Sequence, residues 1–330
     1  MEEKKYIALG LMSGTSMDGV DASIISSIDG IQYDEQFNVY YEYDKDLYQK
    51  LSNLRDKISV SNDLKKLSKE VKSIEKEITL FHAKVVNCID YSGFKSKTLK
   101  PDIIGFHGQT IFHNSKEKIS VQLGDGKLLS QLVKKTVVYD FRQNDLKNGG
   151  QGAPLTPIFH ESLRDKVCSR DPTIFVNIGG ITNVTCFHSI NKFDEPMFAS
   201  DIGPGNCLVD EWMRKNSKKK YDKSGLTAKS GKTNELILNQ ALDNLEGTFS
   251  NSLDIKDFDI SFARGLSLED GASTITNFTA QIITASLKEL LDKNEFDLGD
   301  HSLPNFIVSG GGRKNKYLMD LLSINISERI

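Results

Sequence analysis

Nothing in this 330-residue chain approaches the roughly 18 uninterrupted apolar residues that a membrane-spanning helix requires. The start, MEEKKYIALGLM, has neither the long apolar core nor the small-residue cleavage site of a secretory leader, so the chain is expected in the cytoplasm and away from membranes. Cysteine is scarce: Cys88, Cys168, Cys186 and Cys207 stand apart with no CxxC pair. That spacing argues against a zinc cage and a disulfide framework, and the four are expected as small buried hydrophobes. Excess positive charge is lacking as well. With 42 Lys and Arg against 45 Asp and Glu, the net charge of −3 gives no electrostatic reason to expect nucleic acid. The familiar phosphate-binding signatures are missing too: there is no GxxxxGKS/T loop, no GxGxxG fingerprint and no HRD or DFG set. Nucleotide chemistry here would need a different architecture.

What the chain does hold is an ordinary globular composition, 38% hydrophobic and 26% charged, with length for about two domains. It is organised around Leu9 to Asp21, LGLMSGTSMDGVD, between apolar runs at Tyr6–Met12 and Ala22–Ile28. Two short apolar runs around a Gly, Ser and Thr cluster predict strand, turn, strand. The turn fits two readings. Gly14, Thr15, Ser16 and Gly19 could cradle phosphate, with Asp18 and Asp21 suiting one carried with Mg²⁺, or the residues could serve turn conformation alone.

Farther on, Phe37–Tyr43 predicts a third strand, and Leu64, Leu67, Val71, Ile74, Ile78, Phe81 and Val85 lay one apolar stripe along a helix capped by Asn62 or Asp63. His82 beside that stripe reads as structural. In PDIIGFHGQTIFH, Ile103 and Ile104 are expected to end a short strand, with Gly105, His107, Gly108, Gln109 and Thr110 as a polar turn at its carboxyl end, where ligands bind in open α/β sheets. His107 and Gln109 suit a polyhydroxylated ligand or simply a satisfied turn. Asp140–Pro157, DFRQNDLKNGGQGAPLTP, reads as an interdomain loop in which Arg142 suits a carboxylate or phosphate and Asp140 and Asp145 could hold it in place or bind sugar hydroxyls, or in which an Arg–Asp pair simply braces a linker. IFVNIGGITNVT then echoes the opening stretch around Gly179 and Gly180, which argues for duplicated halves. Asp201 is expected at a strand end above Gly203, Gly205 and Asn206, placed for a base or merely as a turn opener. Residues 226–295 are helical in pattern, and Phe306–Ser309 opens into Gly310, Gly311 and Gly312 before a helix from about Lys316. Three adjacent glycines let a ring or phosphate approach the backbone closely.

Taken together, GLMSGTSMDGVD, GFHGQTIFH, DFRQND with GGQGAPLTP, NIGGITNVT, DIGPGN and SGGGRKN resemble the anhydro-N-acetylmuramic acid kinase family, in its order and over nearly the whole chain. The resemblance implies an α/β fold of two ribonuclease-H-like lobes of the sugar kinase, heat-shock chaperone and actin type, residues 1–140 and 141–330, with an ATP cleft between them. It implies transfer of the ATP γ-phosphate to the 6-oxygen of 1,6-anhydro-N-acetylmuramic acid while water opens the anhydro ring, in cell-wall recycling. On that mapping Gly14, Thr15, Ser16, Met17, Asp18, Gly19, Val20 and Asp21 form the phosphate loop, with Asp18 toward Mg²⁺. Gly179, Gly180, Gly203, Gly205, Asn206, Gly310, Gly311 and Gly312 line the nucleotide site, and Asp201 is the base that deprotonates the attacking water. His107, Gln109, Arg142 and Asp145 shape the sugar site. The family tends to form homodimers. Its members continue past the triple glycine with a Glu-bearing segment and a closing helix, so the end at Ile330 leads to the expectation of a destabilised first lobe. Two other readings are an inactive, truncated nucleotide-binding or scaffold protein and a related amino-sugar kinase.

Overall fold

A computed structural model describes residues 4–14, 16–28, 30, 32–89, 100–167, 172–187, 197–245, 253, 255–294 and 304–329. The chain divides into two compact units, Met1–Leu155 and Thr156–Ile330. The first therefore takes in the glycine-rich stretch through Gly152.

In the first unit, β1 (Tyr6–Ser13), β2 (Gly19–Ser27) and β3 (Tyr33–Glu42) form an antiparallel meander, and β4 (Ile103–Asn114) lies parallel to β1 on its other side. The second half of β4 pairs antiparallel with β5 (Ile119–Leu123), while its first half pairs parallel with β6 (Thr136–Tyr139). Leu9, Leu11 and Ser13 on β1 are buried, in alternation with Gly10 and Met12, as the period of a half-covered strand requires. Helices cover the buried face. Asp44 caps α1 (Lys45–Lys57) by accepting from the Leu47 amide at 2.8 Å, and Leu47, Leu51 and Leu54 then turn inward.

The stripe predicted as one helix is two, α2 (Ser61–Lys66) and α3 (Ser68–Cys88). Asp63 caps the start by accepting from the Ser59 and Val60 amides, and Leu67, with ψ of 13°, breaks the run. The apolar stripe survives the break because Leu64, Leu67 and Val71 pack on the same core. At about 1.5–3 kcal/mol for each fully buried Leu, Ile or Phe, this packing fixes the level of the strand ends that carry the loops. The first unit is completed by α4 (Gly126–Val133), capped by Asp125, and α5 (Gln143–Lys147), which lies inside the stretch expected to be plain loop.

After α6 (Pro157–Val167), the second unit repeats the opening pattern. Strands β7 (Thr173–Ile178), β8 (Ile181–Phe187) and β9 (Phe198–Pro204) are antiparallel, and β10 (Asn305–Ser309) runs parallel to β7. The order β9-β8-β7-β10 is thus the order β3-β2-β1-β4 over again. Duplicated ribonuclease-H-like units follow from that match. Around the sheet lie α7 (Cys207–Asn216), α8 (Leu226–Ser230), α9 (Glu235–Asp243), α10 (Leu268–Asn294) and α11 (Lys316–Arg329). The 27 residues of α10 span about 40 Å, so one helix serves two cores. Ile275, Phe278 and Ile282 join the cluster under α7 to α9, and Ile283, Leu287 and Leu290 join the sheet.

Cys186 and Cys207 are buried, with thiols pushed up to about 12 by burial, but Cys88 is exposed at the end of α3, contrary to expectation; Cys168 lies outside the described residues. No helix among the described residues is long and apolar enough to cross a membrane.

Candidate functional site

Each unit gathers a set of the expected residues at its strand ends. In the first, the loop from Gly14 to Asp18 joins β1 to β2. Met17 takes a left-handed backbone (φ 57°) and buries its side chain in the core, which a flexible turn has no reason to do. The Gly14 carbonyl accepts from the Met17 amide at 3.1 Å and from Gln109 Nε2 at 2.8 Å. Ser16 Oγ donates to Asp18 at 2.5 Å, and the Tyr40 phenol bonds Asp18 as well, its own pKa raised by burial and by that carboxylate. The Tyr40 ring lies against Gly19, where a Cβ would sit 2.7 Å from ring atoms and 2.3 Å from the Tyr41 carbonyl. Val20 belongs to the core and Asp21 is exposed on β2, so these two flank the loop. Thr15 lies outside the described residues.

The polar turn expected after Ile104 is not a turn. Strand β4 continues to Asn114, and His107 and Gly108 form a bulge, since Leu11 pairs with Phe106 but Ser13 with Gln109. Gly108, at φ 73° and with a Cβ position 2.6 Å from the Leu123 carbonyl, is what the bulge requires. Two glycines close together imitate a turn in the sequence, and β5 pairing on the far side overrides that signal. The bulge seats the His107 ring against Arg142. His107 Nδ1 faces the Gly108 carbonyl at 2.7 Å, so Nδ1 carries the proton and Nε2 accepts from Arg142 Nη2 at 2.9 Å. Burial first, and Arg142 second, lower the His107 pKa to about 4, which keeps Nε2 an acceptor at neutral pH. Arg142 Nη1 donates to the Gly152 carbonyl at 2.6 Å, while Asp145 Oδ2 accepts from the Gly152 amide at 2.7 Å. Arg142 and Asp145 therefore grip one residue from both sides, Gly152 of the loop.

In the second unit the glycine turns are stitched to one another. Gly205 N donates to the Gly180 carbonyl and Asn206 N to the Gly179 carbonyl, both at 2.8 Å. A Cβ on Gly205 would lie 2.3 Å from the Gly179 oxygen. Gly310, at φ 81°, crosses over the Ile178 carbonyl, and Gly312 packs on the Ile178 side chain. The β7–β8 turn, the β9–α7 turn and the triple glycine are thus one continuous surface of backbone. Gly310→Ala should therefore cost about 1–3 kcal/mol, from φ strain and a Cβ 2.5 Å from the Ile178 oxygen, read as a lower urea midpoint.

Asp201 is not at a strand end. Strand β9 runs on through Gly203, whose positive φ of 150° favours glycine, to Pro204, with Asp201 opposite Asn183. Its neighbour Ile202, the extra residue of a β-bulge opposite Thr182 and Asn183, joins the apolar core, and Asp201 is buried beside it. There it is 6% exposed and accepts from the Leu253 amide at 2.8 Å. Asp is depleted in strands and seldom buried without partners, so the mid-strand position sets aside the turn-opener reading.

Several residues escaped the sequence reading. Asp222 is buried and accepts from the Thr227 and Ala228 amides at 2.9 and 2.8 Å, and Gly225 packs on Asn315, which itself caps α11 through the Leu318 amide. The signal was the DKSG run, hidden by the adjacent lysines. Among the described residues no three or more His, Cys, Asp or Glu gather to hold a metal by themselves. Mg²⁺ carried on phosphate oxygens needs only one or two carboxylates, and Asp18 at the loop supplies that donor type.

Against known proteins, a family model described as anhydro-N-acetylmuramic acid kinase matches residues 5–329. The anhydro-N-acetylmuramic acid kinase of Pelagibacter ubique is 50% identical, over 99% of this chain and 85% of that protein. Those of Brucella canis and Rhodopseudomonas palustris are 36% and 35% identical, each over 96% of this chain and over 82% and 83% of their own lengths. Six motif blocks that fold into two ribonuclease-H-like units, matched from end to end at this identity, make the chain a member of the anhydro-N-acetylmuramic acid kinase family.

Proposed function

We propose that the protein transfers the γ-phosphoryl group of ATP to the 6-oxygen of 1,6-anhydro-N-acetylmuramic acid, opening the anhydro bridge with water to give N-acetylmuramic acid 6-phosphate. The observation that carries this reading is the family match over residues 5–329. Water adds its oxygen to the anomeric carbon, the bond from that carbon to the 6-oxygen breaks, and the freed oxygen takes the phosphoryl group as ADP departs. Asp201 accepts the proton that water gives up. Gly14, Ser16 and the amides around them receive the phosphates, and the stitched glycines at 179–180, 203–205 and 310–312 receive the rest of the nucleotide. Asp18 is the residue that would hold Mg²⁺ on the phosphates, and the ion would supply charge neutralisation there. His107, Arg142 and Asp145 serve the sugar, with the neutral His107 ring orienting Arg142, and Gln109, fully buried, acts through the Gly14 carbonyl that it holds rather than by touching the sugar. The place of work is the cytoplasm, where ATP is available.

The reading is tested by ADP release from Mg-ATP, with 1,6-anhydro-N-acetylmuramic acid against N-acetylmuramic acid and N-acetylglucosamine as acceptors. Release with the anhydro sugar alone supports it, and equal release with a reducing sugar refutes it. Arg142→Lys, which keeps the charge but loses the planar fork to His107 and Gly152, should raise the sugar KM about 10- to 100-fold and leave the ATP KM within about twofold.

A further inference from the structure

Tyr43 holds both ends of the Gly14–Asp18 loop. Its backbone amide donates to the Asp18 carbonyl at 2.8 Å, and its phenol donates to Ser13 Oγ, at the loop's entrance, at 2.9 Å. Ser13 Oγ in turn lies 3.1 Å from His82 Nε2, and His82 Nδ1 lies 2.8 Å from the Ile78 carbonyl. The proton positions follow from the last partner. A carbonyl only accepts, so Nδ1 donates, Nε2 accepts, Ser13 donates to it, and the Ser13 oxygen is left to accept from Tyr43. The chain runs one way, from phenol to hydroxyl to imidazole to backbone. All three side chains are buried, Tyr43 at 3%, Ser13 at 1% and His82 at 0%, so none of them meets a ligand.

We propose that Tyr43, Ser13 and His82 are positioning residues that hold the Gly14–Asp18 loop in its phosphate-receiving shape, so that nucleotide binding does not have to order it. The proposal rests on the kinase reading above. Gln109 Nε2 on the Gly14 carbonyl and the Met17 side chain in the core brace the middle of the loop, and two observations show what its ends need. Ser13 is the last residue of β1, beyond the point where the β4 bulge interrupts regular pairing, and Met17 holds a left-handed backbone that surrounding structure must enforce. The His82 ring is neutral at ordinary pH, as its acceptor role demands, because burial lowers its pKa to about 4. A bond in this chain, once cut, leaves a buried polar atom unpaired, and the cost falls on the loop.

The test is steady-state kinetics with Mg-ATP and the anhydro sugar, together with thermal unfolding. Tyr43→Phe keeps the ring and removes the donor; it should raise the ATP KM about 5- to 50-fold with the sugar KM within about twofold. Ser13→Ala cuts two bonds and should exceed it, while His82→Gln, which puts an amide near the Nε2 position, should recover most of what His82→Leu loses. Phe81→Leu is the control, because Phe81 meets the Tyr43 ring edge-on at 4.9 Å and touches none of the hydrogen bonds. It should lower Tm and leave the ATP KM alone. If Tyr43→Phe behaves like Phe81→Leu, the chain is merely structural and the proposal falls while the kinase reading stands. If the wild-type protein shows no sugar-dependent ATP turnover, the kinase reading falls and takes the proposal with it.

Discussion

Asp201→Asn should abolish turnover, by about 10²- to 10⁴-fold in kcat, while the ATP and sugar affinities stay within a few-fold of wild type. Asn has the same shape and still offers an oxygen to the Leu253 amide, so the strand position and its one described backbone bond survive the change. What Asn cannot do is accept a proton. The combination of near-normal binding with lost chemistry separates a base from a structural carboxylate, since the latter would show first as a lower Tm. Calorimetric titration of ATP into the variant, alongside kcat, decides between them. A kcat within about tenfold of wild type would remove Asp201 from the reaction.

Acid should weaken the protein well before its carboxylates titrate. His82, His107, His113 and His160 all have pKa values lowered to about 4, with burial as the largest cause in each. A folded pKa below the unfolded value of about 6.5 means that the unfolded chain binds more protons across that window, so stability rises with pH there. The contribution is complete above about pH 6.5 and is lost as pH falls toward 4. At pH 5 each of the two most buried rings, His82 and His107, should cost on the order of 2 kcal/mol, and His113 and His160, nearer solvent, less. Against a total stability of about 5–15 kcal/mol this is a large share. Three of the four lie in the first unit, so that unit should unfold first. Urea midpoints at pH 7.5, 6 and 5 measure the effect, and His82→Gln should flatten the curve. A midpoint unchanged between pH 7.5 and 5 would contradict it.

Much of the fold was legible because hydrophobic period and glycine placement are local signals. The β1–turn–β2 and β7–turn–β8 units, the stripe on α3 and the triple glycine before α11 all read directly, and the repeat of one unit in the other was visible in the two glycine turns. Where the reading failed, a tertiary partner decided. Gly105 and Gly108 suggested a turn until β5 and β6 paired both halves of β4, and Asp201 was expected at a strand end until β8 paired beside it. Leu67 broke a helix that the apolar stripe made continuous. The site divides in the same way. Gly14, Asp18, Gln109 and Arg142 announce themselves through type and spacing, but nothing in sequence joins Ser13, Tyr43 and His82, which meet only because α3 packs under β1. That Arg142 and Asp145 brace the linker was one of the readings open from sequence, but that they do so through Gly152 was not legible, because it depends on a carbonyl and an amide rather than on side-chain type.

The most direct test of the account is the fate of oxygen when the protein turns over Mg-ATP and 1,6-anhydro-N-acetylmuramic acid in ¹⁸O water. The account predicts stoichiometric ADP and N-acetylmuramic acid 6-phosphate, with one ¹⁸O on the anomeric carbon and none in the transferred phosphoryl group. Label in the phosphate, or ADP released with the anhydro bridge intact, would mean that water attacks ATP instead of the sugar and would contradict it.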